Sequence, residues 1–386
     1  MECMVKNNFS HQQLALGSAV LANIPFLLWG KPGVGKTATL NSLCGRYGLH
    51  LETVILSTRE PSDLSGIPYI VGGNMRLSQP DFVRHILEAK EAGRDSLLFF
   101  DEFSTAPHAM QAATLRVLAE RVVGDTVLPL GCRVGAAANP PEIAAGGFTI
   151  TPPAANRFVH IPYAIDLGSL CEGLRGEFPS VPVPVPPKGS FDLFVKRARR
   201  IISAFLSGRG DDSLISPSGD DFGVLFGQGS EFDPADLGFP SARMWYDFVA
   251  PLLAVCLWGT VDGKNLPVGV LRILMEGCLG KGVGKEFTAF VNSLDLPDPR
   301  PVLAGKAKYT VPKNLRNDVA LAIGYGFCSA VKDSKGYQIC SNVICDLAEV
   351  TGVDVMVPVC LELLKNRPEG AVPTSRFVSI FGRFIE

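Results

Sequence analysis

Read from the amino end, the chain alternates short apolar runs with amphipathic stretches. Residues 12–22 (QQLALGSAVLA) carry apolar positions at helical spacing. IPFLLWG (24–30) is a continuous apolar run that stops at glycine, which suits a strand buried on both faces. The pattern predicts a helix over 36–47, a strand over 50–57 (HLETVILS) and a helix over 81–92 with Asp81 as its N-cap. SLLFF (96–100) is another buried strand, ending in Asp-Glu. PHAMQAATLRVLAE (107–120) reads as a helix with proline in its first turn, and CRVGAAAN (132–139) and RFVHIPY (157–163) as two more strands. Strands and helices alternating at this spacing predict an α/β fold with a five-stranded parallel sheet. Ligands bind beyond the carboxyl ends of such strands. Gly30, Ser57, Asp101 and Asn139 stand at those ends and are expected along one rim.

Two segments interrupt the alternation. IPYIVGGNMRLS (67–78) has strand-like runs on either side of Gly72-Gly73-Asn74, and RVVGDTVLPLG (121–131) has Gly124-Asp125 between apolar runs. Both read as β-hairpins projecting from the sheet. The composition changes after Tyr163. VPVPVPPKGS (181–190) has the proline content of an extended linker, and FDLFVKRARRIISAFLSG (191–208) restarts as an amphipathic helix with Phe194, Ala198, Ile201, Ile202 and Phe205 on one face. Residues 209–238 are acidic and glycine-rich and read as loop; from about 240 onward the pattern is helical, broken at LDLPDPRPV (294–302). The expected division is a nucleotide-binding α/β core (1–165), a proline-rich linker (166–190), a mainly helical lid (191–298) and a helical extension (299–386).

The formal net charge of −2 gives no basic excess of the kind that binds nucleic acid or membrane in bulk. The ten cysteines form no CxxC pair and have no histidine at ligand spacing, so neither a zinc site nor a disulfide framework is expected. The polar start MECMVKNNFSHQQ lacks a signal-peptide core, and the longest apolar run, near Val249–Trp258, is too short to span a bilayer. A reduced, cytoplasmic chain is the expectation.

Gly30-Lys31-Pro32-Gly33-Val34-Gly35-Lys36-Thr37 fits G-x-x-x-x-G-K-[ST] at every fixed position, after a buried strand and before a helix. The glycines let backbone N–H groups curl around phosphate oxygens, and the helix N-terminus adds positive potential. Lys36 is expected to reach the β- and γ-phosphates and the Thr37 hydroxyl to ligate Mg²⁺; Pro32, Val34 and Ala38 complete the set expected against ATP. About 65 residues on, LLFFDE (97–102) delivers Asp101 to the Mg²⁺ shell and Glu102 to the attacking water. Asn139 ends the next strand, where an amide can orient that water or touch the γ-phosphate; alternatively it is a turn residue before Pro140. Arg157 faces outward before the last strand and could stabilise transition-state charge in a neighbour's site, and Arg243 could touch the same phosphates from beyond the linker. Ordinary surface arginines are the competing reading for both.

A second glycine-lysine run, LGKGVGKEF (279–287), fails the motif. Leu279 stands where glycine is required, Glu286 stands where a hydroxyl is, and apolar positions at helical spacing flank it on both sides. It is expected to be a glycine loop joining two helices, with Gly280 as a C-cap. The chain therefore has one nucleotide site.

WGKPGVGKT, LLFFDEF, AAANP, ANRF and FPSAR, in this order and spacing, resemble the AAA+ ATPases and more narrowly their MoxR branch, relatives of the chelatase ATPase subunits and of dynein-like modules. REPSDLSGIP (59–68) resembles that branch's loop after the second strand. The resemblance is strong over 11–163, moderate over 190–250 and weak after 300. It implies that Asn139 is the sensor-1 residue, Arg157 the arginine finger, Arg243 the sensor-2 arginine, and the two hairpins the branch's insertions. It also implies rings, usually hexamers, a partner with a von Willebrand A domain, and chaperone-like remodelling or maturation of protein complexes, in some relatives with metal insertion. Where the family reads Asn-Arg after its Asp-Glu-apolar triplet, this chain has Ser104-Thr105, and FPSAR departs mildly from the more usual PSPR. Two further classes compete: a nucleic-acid motor or loader, whose best support is the basic run 196–200, and an ATP-binding scaffold with little turnover, against which the full set Lys36, Thr37, Asp101 and Glu102 argues.

Overall fold

The computed structural model describes residues 10–141, 143, 149–175, 181–186, 189–216, 233–294, 297 and 299–384. The polar start (1–9) and 217–232 of the glycine-rich stretch lie outside the described residues, as do 187–188 of the proline-rich segment and 295, 296 and 298 of the later break. The chain divides into two compact units, Met1–Phe191 with Ser213–Glu286, and Asp192–Asp212 with Phe287–Glu386.

The first unit begins α1 (His11–Ala22), β1 (Phe26–Trp29), α2 (Lys36–Tyr47), β2 (His50–Ile55), α3 (Pro61–Ser65), β3 (Pro68–Val71), β4 (Asn74–Leu77) and α4 (Asp81–Glu91). It continues with β5 (Ser96–Asp101), α5 (His108–Glu120), β6 (Val122–Val123), β7 (Thr126–Val127), β8 (Cys132–Ala138), α6 (Pro152–Ala155), β9 (Val159–Pro162) and α7 (Leu167–Leu174). Five strands form one parallel sheet in the order β2-β5-β8-β1-β9. These are the five apolar runs of the sequence. Phe26, Leu27 and Leu28 of β1 and Leu97–Phe100 of β5 are fully buried, as strands covered on both faces must be. Each large side chain so buried contributes about 2–3 kcal/mol. Gly135 of β8 is glycine for space, since a Cβ there would lie 2.2 Å from the Phe26 ring.

The helix starts follow local chemistry. Ser10 caps α1 through a reciprocal capping box with Gln13. Asp81 is the first residue of α4 and Pro80 its N-cap, one position earlier than the sequence suggested; Pro107 is likewise the N-cap of α5 rather than part of its first turn. The hairpin β3–β4 turns at Gly72-Gly73, both at positive φ, and β6–β7 turns at Gly124-Asp125. Ile70 and Met75, paired across the first hairpin, are 78% and 74% exposed.

One buried histidine carries a pH prediction. His160 on β9 accepts from Trp29 Nε1 at Nδ1 (3.0 Å), so its Nε2–H donates to the Ala155 carbonyl (3.1 Å), and the ring is neutral. Burial pushes its pKa down to about 4. The unfolded imidazole takes up its proton near 6.5. Stability is therefore full above pH 6.5 and falls as the pH drops towards 4, by on the order of 3 kcal/mol. Urea unfolding at pH 7.5 and pH 5 should show the loss in the wild type and a smaller one in His160→Gln; equal losses would remove His160 as the cause.

The later part of this unit returns to helix. Residues 242–243 are helical, Met244–Val249 form a π-helix, and α9 (Ala250–Trp258) continues it. Pro251 offers no N–H and crowds the carbonyl four residues back, and the widened π turns accommodate it. A hairpin of β10 (Thr260–Val261) and β11 (Lys264–Asn265) follows, where the sequence reading had only helix; its turn is Asp262-Gly263, both at positive φ, and Thr260 also bridges to Val185 of the proline-rich segment. α10 (Val268–Leu279) ends at Gly280 (φ 81°), and α11 begins at once at Lys281 and runs to Ser293. The second glycine run is thus a one-residue break between helices with Gly282 and Gly284 inside α11, not a loop. Gly284 has a packing reason, since a Cβ would lie 2.5 Å from the Glu276 backbone.

The second unit is helical, built from α8 (Phe191–Arg209), α12 (Pro299–Leu303), α13 (Asn317–Ala330), α14 (Ser334–Thr351), α15 (Val353–Lys365) and α16 (Ser375–Phe381). In Phe191–Arg209 the buried face holds Val195, Ala198, Ile201, Ile202 and Phe205, while the expected Phe194 is only half-buried and lies 5.3 Å from Arg197 in a cation–π contact. Among its basic residues, Lys196 pairs with Asp192 (2.8 Å) and Arg200 with Glu362 (3.2 Å). No helix among the described residues is long and apolar enough to cross a membrane.

Candidate nucleotide site

The sheet order sets the site. β8 lies between β1 and β5, so Asn139, the residue after it, is flanked by the loop after β1 and by Asp101 at the end of β5. The loop 30–35 owes its shape to glycines for two different reasons. Gly33 and Gly35 have φ of 78° and 80°, where side chains are strained, and at Gly33 an added Cβ would meet nothing; Gly30 has its space taken, with the Tyr163 carbonyl 2.5 Å from an added Cβ. Gly35 is also the N-cap of α2 and brings no side chain to its N–H groups, which leaves that terminus suited to an anion.

Lys36 Nζ donates to the Gly30 carbonyl (2.6 Å), the Lys31 carbonyl (3.2 Å) and Asn139 Oδ1 (3.0 Å). Burial lowers its pKa and the Asp101 carboxylate opposes that shift. Thr37 Oγ1 donates to Asp101 Oδ2 (3.3 Å), whose other oxygen accepts from the Glu102 N–H (2.9 Å). Glu102 sits in the left-handed region (φ 57°, ψ 39°), which costs a non-glycine residue about 1 kcal/mol. That turn carries the exposed carboxylate off the strand line, where the Ser57 hydroxyl donates to it. Lys36, Thr37, Asp101, Glu102 and Asn139 thus form one constellation at the strand ends. Pro32 is exposed, and Val34 and Ala38 are half-buried along the same loop and first helical turn.

Ser104 gives the departure from the family's Asn-Arg a structural account. It is buried, and its Oγ accepts from the Asn139 N–H (3.0 Å), tying the end of β8 to the turn after β5. Its neighbour Thr105 only closes a local turn through the Glu102 carbonyl (2.8 Å).

The two arginines form a second group. Arg157 is half-buried instead of facing fully outward, and its Nη1 donates to the Pro153 carbonyl (2.6 Å). Its pKa is lowered first by burial and then by the nearby Arg243 charge. Arg243 is exposed at the start of the helix that leads through the π turn into α9. Among the described residues no hydrogen bond joins either arginine to the Lys36 constellation. Sequence reasoning placed Ser57 on the rim without a partner and gave no role to Ser104, Asn156 or Ser241; their contacts run to residues 35 to 85 positions away, which no local pattern encodes.

Comparison with solved structures finds similarity to a "putative ATPase" from Cytophaga hutchinsonii, at 17% identity over 72% of this chain and 88% of that one, with a TM-score of 0.44. A full-length MCM homologue from Methanopyrus kandleri is similar at 15% identity over 72% of this chain and 54% of its own, with a TM-score of 0.35. No curated protein matches the sequence. Residues 26–142 match the family described as ATPase family associated with various cellular activities (AAA), and the matched stretch holds the glycine loop, Asp101, Glu102 and Asn139.

Proposed function

We propose that the chain is a Mg²⁺-dependent ATPase with a single site at residues 30–37, working in a ring of like subunits. The convergence of Lys36 with Asn139, and of Thr37 with Asp101, carries this reading. The residues present fit the nucleotide. The loop has room above Gly33, an ammonium at its centre and an uncapped helix terminus behind it. The Thr37 hydroxyl and the Asp101 carboxylate are the hard oxygen donors that Mg²⁺ takes. Mg²⁺ bound there would neutralise charge shared by the β- and γ-phosphates. Lys36 exchanges its carbonyl partners for phosphate oxygens, Asn139 stays beside it to orient the γ-phosphate or the water, and Glu102 takes the water's proton. Arg157 and Arg243, held near one another, serve the phosphates of the adjoining subunit.

The client in this reading is a protein, with residues 191–298 as the lid and a von Willebrand A protein as partner, in the manner of the MoxR branch. The exposed apolar pair Ile70 and Met75 on a projecting hairpin suits contact with protein. The basic run 196–200 gives the nucleic-acid alternative less support now that Lys196 and Arg200 have carboxylate partners.

Phosphate release from ATP by the full chain, with Mg²⁺ and with Mg²⁺ chelated, tests the reading. Turnover that depends on Mg²⁺ and is abolished in Lys36→Ala is expected. No turnover at any protein concentration, or turnover indifferent to Lys36, would overturn it.

A further inference from the structure

Asn156 immediately precedes Arg157 and has no part in the scheme above. Its side chain is buried, at 8% exposure, and its hydrogen bonds run to a segment more than eighty positions along the chain. Nδ2 donates to the Phe239 carbonyl (3.2 Å), and Oδ1 accepts from Ser241 Oγ (2.8 Å). The same Ser241 oxygen accepts from the Met244 N–H (3.2 Å), and the Ser241 carbonyl accepts from the Trp245 N–H (3.1 Å). Ser241 is therefore the cap of the helix that carries Arg243 in its first turn, and Asn156 holds the cap. One arginine follows the amide by one residue, and the other follows the capping serine by two.

The two guanidiniums carry like charge, and burial first and the Arg243 charge second lower the pKa of Arg157. Left to themselves they move apart. The hydrogen bonds of Asn156 oppose that separation with an uncharged group. An amide suits the place because it donates to a carbonyl and accepts from a hydroxyl at once. A carboxylate of the same shape would face the Phe239 carbonyl without a proton and would offer the arginines an ion pair in place of phosphate.

We propose that Asn156 is a positioning residue that holds Arg157 and Arg243 as one unit, presented together to the phosphates of a neighbouring subunit's nucleotide. This rests on the reading that the arginines act at phosphate. Loss of the link leaves each arginine in the chain and removes their relative placement.

The test measures kcat and nucleotide Kd for Asn156→Ala, Arg243→Ala and the double variant. Asn156→Ala is expected to lower kcat about tenfold, the scale of one or two lost hydrogen bonds, with Kd for ATP changed less than about twofold. The double variant is expected to be no slower than Arg243→Ala alone, because the link has nothing left to place. Asn156→Asp should be impaired like the alanine variant despite its shape, and Ser241→Ala, which removes one hydroxyl, should shift kcat in the same direction and serves if Asn156→Ala does not fold. Unchanged kcat in a folded Asn156→Ala or Ser241→Ala chain, or a double variant slower than Arg243→Ala by the full Asn156→Ala factor, would overturn the proposal. If Arg157→Ala and Arg243→Ala themselves leave kcat at the wild-type value, it is the phosphate role of the arginines that fails, and Asn156 has nothing to position.

Discussion

Glu102→Gln protein is expected to bind ATP with near wild-type affinity and to hydrolyse it at least about a hundredfold more slowly, the scale of losing a positioned general base. The substitution keeps the shape and the left-handed backbone at φ 57° but removes the carboxylate. Affinity should survive because the groups proposed to cradle phosphate are elsewhere, on Lys36, Thr37 and the N–H groups of α2. Ser57 can still donate to the amide oxygen, so the side chain keeps its place while losing its basicity. ATP binding measured alongside single-turnover hydrolysis separates the two. Equal rates would remove Glu102 from the chemistry, and lost binding would give it a different role.

Arg157→Ala is expected to act on the transition state from the other side, lowering turnover by about a thousandfold, the low end for an arginine that meets transferring phosphate. Affinity for ATP should be nearly intact, since the described contacts of Arg157 run to Pro153 and towards Arg243 and none runs to the loop. The half-burial of Arg157 matters here. One edge of the guanidinium is fixed on the Pro153 carbonyl, so the group is preorganised and loses little freedom when it meets an anion. A kcat that falls while Kd holds still is the expected signature; a matching loss in Kd would place Arg157 in ground-state binding.

Most of the sheet was legible in the sequence because β1, β5 and β8 are almost wholly buried and appear as apolar runs bounded by polar ends, while the edge strand β2 is largely half-buried or exposed and mixes polar with apolar residues. The loop at 30–37 was legible because phosphate binding fixes residue types at fixed spacing, and the structure adds why each glycine is there: conformation at Gly33 and Gly35, space at Gly30. The hairpin at 260–265 was passed over although Asp262-Gly263 is a turn signal, because apolar helical spacing on both sides outweighed two-residue strands. At 279–287 glycine content argued for a loop, yet α11 runs through it, since Gly284 meets the backbone of α10 too closely for any larger residue. Ser104 and Asn156 stayed invisible for a different reason. Each acts through one hydrogen-bonding partner set far off in the chain, and an isolated serine or asparagine carries no spacing to read.

The most direct test of a site shared between subunits is to mix Arg157→Ala chains with Lys36→Ala chains. The first keep the phosphate loop and lack the arginine; the second keep the arginine and lack the loop's lysine. In an equal random mixture about a quarter of the interfaces join an intact loop to an intact arginine, because a head-to-tail ring presents each loop to one neighbour. Hydrolysis well above the sum of the two separate variants is the predicted result. A mixture that assembles together, as judged by co-purification of differently tagged chains, and still hydrolyses no faster than that sum would contradict the account.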